Sequence, residues 1–129
     1  MIAVDTNIVV RYLTGDHPEQ AARAREIING EQIFVSTTVI LEVGWVLRNS
    51  YAYTPARVIA ALTAFCGLPT VVLHDEQIIS AALELAGQKA DLADALHFCE
   101  ANHCEAFLTF DRKFVKIARS AGYASVRNA

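Results

Sequence analysis

Apolar and polar residues change period along this chain, and the changes mark alternating strands and helices. Ile2-Ala3-Val4 is a short continuous apolar run that ends on Asp5. Such a run reads as a strand buried on both faces rather than one with a wet side. Thr6 to Leu13 has helical spacing and is stopped by Gly15 and Pro18. Pro18 then opens a helix running to about Asn29, since proline suits the first helical turn. Gln32 to Ser36 reads as a second strand and Thr37 to Asn49 as an apolar-rich helix. Pro55 starts another helix, which Gly67 and Pro69 end. Thr70 to Leu73 is a third strand, followed by helices at Asp75 to Ala86 and Asp91 to Asn102. Ala106 to Thr109 is a fourth strand, Asp111 to Ala121 a last helix, and Tyr123 to Val126 a short edge strand. Strands separated by helices predict an α/β fold with a parallel sheet covered on both faces.

Composition narrows the class. A chain of 129 residues predicts one domain, residues 1–129, around one core. The hydrophobic fraction of 53% predicts a well-filled interior and a subunit interface. No apolar run is long enough to span a membrane, and Glu42 interrupts the best candidate, Val39 to Leu47. The first residues lack the basic-then-apolar order of a secretory signal. Cys66, Cys99 and Cys104 are odd in number and have no framework spacing, which fits a reduced, cytoplasmic interior. Cys99 and His103 stand i, i+4, but no second pair has zinc-finger spacing, so core packing is the better reading of Cys99.

Acidic residues carry the candidate chemistry. Asp5 ends the first strand, and carboxyl ends of strands are where α/β folds place their sites. Asp111 follows the fourth strand in the same way. Asp91 and Asp94 open a helix, and Glu42 sits inside an apolar helix. Each Asp has a purely structural explanation as an N-cap, and the Asp91/Asp94 spacing is that of a capping box. Glu42 lies mid-helix and has no such role. On a buried surface its carboxylate would need a cation or a partner such as Arg11 or Arg48. Brought together, these acids would repel one another unless a divalent cation neutralised them, and hard cations such as Mg²⁺ or Mn²⁺ take oxygen ligands.

Net charge is -3, which at first argues against a polyanionic partner. Five of the 14 acidic residues belong to this set, however, leaving nine against 11 basic residues elsewhere. Arg112, Lys116 and Arg119 share a helical face that starts beside Asp111. They suit either a solvated helix end or contact with a phosphate backbone. Trp45, Tyr51 and Tyr53 are candidates for stacking on bases, though core or dimer packing explains them better.

Four blocks of residues together resemble one family. They are Val4-Asp5-Thr6-Asn7, Ile40-Leu41-Glu42-Val43, Ala90-Asp91-Leu92-Ala93-Asp94-Ala95-Leu96-His97 and Leu108-Thr109-Phe110-Asp111. In order and spacing the chain resembles the PIN-domain nucleases, and within them the VapC-type toxins of bacterial toxin–antitoxin pairs. The resemblance spans nearly the whole chain. It implies a three-layer α/β/α fold with a central parallel sheet of four or five strands. It also implies an acidic quartet of Asp5, Glu42, Asp94 and Asp111 around Mg²⁺ or Mn²⁺. Asp91 is then an extra acid, and Thr6, Asn7 and Thr109 are polar supports. The implied activity is metal-dependent hydrolysis of phosphodiesters in RNA, with Arg112 and Lys116 as contacts to the backbone. The implied partners are an RNA substrate, a VapB-like antitoxin and a second copy of the chain.

Two other readings compete. Asp5 could be the nucleophile of a phosphohydrolase of the haloacid dehalogenase kind, but these usually carry a second Asp two residues on, where this chain has Asn7. Alternatively, the chain is a partner-binding module without catalysis, for which its apolar surplus and the Trp45 helix are suited.

Overall fold

The computed structural model describes residues 1–129 as two compact units, Met1–Glu76 and Gln77–Ala129. The first holds β1 (Ile2–Ala3), α1 (Thr6–Thr14), α2 (Pro18–Gly30), β2 (Ile33–Val35), α3 (Thr37–Ser50), α4 (Pro55–Cys66) and β3 (Val71–Leu73). α5 (Glu76–Gly87) begins at the boundary and leads into α6 (Leu92–Glu100), β4 (Phe107–Thr109), α7 (Arg112–Ser120) and β5 (Val126–Asn128). Every strand pairing is parallel, as expected for strands joined by helices. The five strands hydrogen-bond as a three-stranded sheet, β1-β2-β3, and a two-stranded pair, β4-β5. This is an α/β, PIN-like fold. No helix is long and apolar enough to cross a membrane.

In the first unit β2 is the central strand, and its Ile33 and Val35 are fully buried. Val9 and Val10 of α1, Ile28 of α2, Ile40 and Leu47 of α3 and Leu62 and Phe65 of α4 complete the core. Thr70 ties the end of α2 to the start of β3 by donating its hydroxyl to the Ile28 carbonyl at 2.6 Å. β1 differs from the expected fully buried strand: Ile2 and Ala3 are exposed. The reason is position, because β1 is the edge of its sheet and pairs only with β2 there.

Aromatic packing organises the second unit. Phe98 of α6 meets Phe107 of β4, Phe114 of α7 and Tyr123 edge-on, with centroids 5.6, 6.3 and 5.0 Å apart. Such T-shaped contacts each add about 0.5–1.5 kcal/mol beyond burial. Tyr123 explains why the last strand starts later than its sequence suggests. Its N–H donates to the Ala118 carbonyl at 3.0 Å, just after Gly122 turns at φ +99°. The chain is therefore still leaving α7 at Tyr123, and pairing with β4 begins at Val126.

Candidate active site

Capping and catalysis use the same residue types, and here three of the singled-out acids are caps. Asp5 accepts the Ile8 N–H at 3.4 Å at the start of α1. Asp91 accepts the Asp94 N–H at 3.1 Å at the start of α6. Asp111 accepts the Phe114 N–H at 3.0 Å at the start of α7. Each cap bond engages one carboxylate oxygen, so capping fixes the side chain without exhausting its lone pairs.

In the first unit, Asp5 and Glu42 come from α1 and α3, which pack together. The hydroxyl of Thr6, the only buried polar side chain, donates to Glu42 Oε1. Glu42 itself is exposed, contrary to the expected buried setting. α3 turns Ile40, Val43, Gly44 and Leu47 inward, which leaves Glu42 and Trp45 on the opposite side. Neither suggested cation pairs with Glu42. Arg11 instead donates from Nη1 to the Tyr51 hydroxyl and from Nε to Gln20, both at 2.9 Å, and lies 3.9 Å from Asp16. Arg48 is exposed and makes no ion pair. Asn7 is exposed and makes no side-chain hydrogen bond.

Of the three aromatic residues, Tyr51 and Tyr53 are half-buried against this chain, and Trp45 is not. Trp45 is 62% exposed, so it is not part of this chain's core. Tyr51 donates a hydrogen bond from its hydroxyl to Asp16 at 2.9 Å, holding that carboxyl below its ordinary range. Tyr53 carries the Arg57 guanidinium 3.9 Å above its ring.

In the second unit, the charges of Asp91 and Asp111 act on Asp94. Partial burial raises the Asp94 carboxyl above its ordinary range, the charges of Asp91 and Asp111 raise it further, and His97 opposes them. Thr109 supports Asp111 through the backbone, its Oγ1 accepting the Asp111 N–H at 3.0 Å. This shared negative field is what a cation would relieve. Within neither unit do three His, Cys, Asp or Glu side chains form a ready-made cation cage. The donors nonetheless fit a hard divalent cation, since all are oxygens and several are charged. The zinc reading of Cys99 and His103 fails because no set of ligating side chains gathers around them, and Cys99 packs in the core instead.

The basic face of α7 is smaller than its spacing suggests. Arg112, Lys113 and Lys116 are exposed and unpaired. Arg119 turns back to the chain, donating from Nε to the Val126 carbonyl at 3.0 Å and from Nη2 to the Ala124 carbonyl at 3.3 Å. It fastens β5 to α7.

No curated protein matches the chain. The PIN domain model matches residues 2–120, a segment that includes each of the acids above. PIN domains are typically nucleases, and they generally use divalent metal ions. With a match over nearly its whole length, the chain belongs to the PIN domain family.

Proposed function

We propose that this protein is a metal-dependent endoribonuclease acting as the toxin of a VapBC-type toxin–antitoxin pair, with residues 1–129 working as one domain. The observation that carries the nuclease reading is the PIN domain match over residues 2–120; the Asp94 carboxyl, raised by burial and by Asp91 and Asp111, accords with it. A carboxylate crowded by like charges on a family scaffold that generally uses divalent cations is suited to binding one. Asp5, Glu42, Asp94 and Asp111 would hold Mg²⁺, or Mn²⁺ in its place. When bound, the cation supplies charge neutralisation and acidifies the attacking water.

The chain's own groups do the rest. The cap bonds of Asp5 and Asp111 fix where their carboxylates point. Thr6 holds Glu42 by a donated hydrogen bond, which orients that carboxylate. Asp111 and Glu42 would complete the site, bind a second ion or orient the attacking water through hydrogen bonds. Arg112 and Lys116 grip the phosphate backbone as point charges. Exposed Trp45 belongs to a face covered by a second copy of the chain or by the antitoxin.

Expression without an antitoxin tests this reading. The wild-type chain should arrest bacterial growth, and a variant with all four acids changed to amides should not. Equal arrest by both would favour toxicity through binding alone.

A further inference from the structure

Register in the second unit places an unassigned polar side chain beside Thr109, two residues before Asp111. β5 runs parallel to β4, with Phe107 opposite Val126, Leu108 opposite Arg127 and Thr109 opposite Asn128. Register partners in a parallel pair project to the same side, and successive residues alternate. Phe107 packs on Phe98 of α6 and Phe114 of α7, and Val126 is fully buried. The face shared by Phe107 and Val126 is therefore the one α6 and α7 cover. Two residues further on, Thr109 and Asn128 share that face at the carboxyl end of the pair. The acids of this unit belong to the same end: Asp94 is one turn before Phe98 on α6, and Asp111 opens α7 three residues before Phe114. Arg127, by the same alternation, faces away with exposed Leu108.

β5 is fastened more firmly than three residues need. Phe107 donates its N–H to the Ser125 carbonyl at 3.0 Å, and Ala129 donates to the Thr109 carbonyl at 2.9 Å. Arg119 holds the carbonyls of Val126 and Ala124. The backbone of Asn128 is thus fixed, while its side chain is exposed and has no protein partner. An amide carries two N–H donors beside its acceptor oxygen, and no charge. Through those donors it can bind an anionic oxygen without adding negative charge beside the carboxylates.

We propose that Asn128 binds the substrate, its side-chain amide donating to a phosphate oxygen or ribose hydroxyl of RNA beside Asp111. This deepens the ribonuclease reading and rests on it. It also extends the site past residue 120, where the family match ends.

Steady-state cleavage of a short RNA by Asn128→Ala and Asn128→Asp tests it, alongside affinity for the same RNA in Ca²⁺, which takes the same oxygen ligands. Loss of one such hydrogen bond should raise KM about tenfold, with kcat little changed. Asn128→Asp should do worse than Ala at low salt, because it adds a charge that repels phosphate. Affinity in Ca²⁺ should fall in step, while melting temperatures stay level. KM and Ca²⁺ affinity unchanged in both variants would overturn the assignment. Should the wild type cleave no RNA, the ribonuclease reading fails, and affinity in Ca²⁺ alone decides the role of Asn128.

Discussion

Thr6 donates its hydroxyl proton to Glu42, joining the first turn of α1 to the N-terminal half of α3 across 36 positions of sequence. Thr6 is 7% exposed, so the bond sits at the edge of the core. Thr6→Val keeps the shape and removes the donor. The folded state should lose about 1 kcal/mol, a typical net hydrogen-bond contribution, read as a lower urea midpoint. Metal affinity should fall as well, because Glu42 loses its anchor. A variant with unchanged urea midpoint and metal affinity would show the bond to be incidental.

Caps and ligands separate by substitution. Asn caps a helix about as well as Asp, whereas Ala costs about 1 kcal/mol. Asp111→Asn should therefore melt close to wild type and lose cleavage, while Asp111→Ala loses both. The same contrast applies to Asp5. If Asp111→Asn keeps full cleavage, Asp111 is only a cap.

The acid cluster should weaken the fold at neutral pH. Asp94 holds its proton more tightly in the folded chain than at the ordinary value of 3.8. Its protonated form supports the fold fully below that value, and the contribution is lost as pH rises through the raised folded pKa. Asp94→Asn should thus melt above wild type at neutral pH, with the gap closing towards pH 3.8. Mg²⁺ should raise the wild-type melting temperature and that of the variant much less. Identical melting curves across pH would show Asp94 to be well solvated.

Arg119 and Lys116 predict opposite phenotypes from neighbouring positions. Arg119→Met removes the two bonds that fasten Val126 and Ala124 and should cost about 1–2 kcal/mol by thermal unfolding. Lys116→Ala should leave stability alone and lower the salt dependence of RNA binding by about one phosphate contact. The reverse pairing would exchange their roles.

Much of the fold was legible because punctuation and periodicity agreed. Proline at positions 18 and 55, glycine after α1 and α4, and Asp or Ser before α1, α3, α6 and α7 mark boundaries through local backbone chemistry. Features set by long-range packing were not legible. The apolar run at Ile2 reads as buried, yet edge position exposes it. Glu42 reads as buried because its sequence neighbours are apolar, yet α3 turns it outward. Tyr123 delays β5 because its ring is needed against Phe98. Asn128 carries no motif, and only strand register singles it out. The four acids could be singled out as candidates from the sequence, while their partners, such as Thr6 for Glu42, required the structure.

The most direct test is cleavage of a structured RNA pool by the purified protein in Mg²⁺, Mn²⁺ and EDTA, beside Asp5→Asn and Asp94→Asn. Cutting that needs the divalent cation and falls about 100-fold or more in both folded variants is the result predicted. Cutting that survives EDTA, or that both variants retain, would contradict a carboxylate–metal ribonuclease.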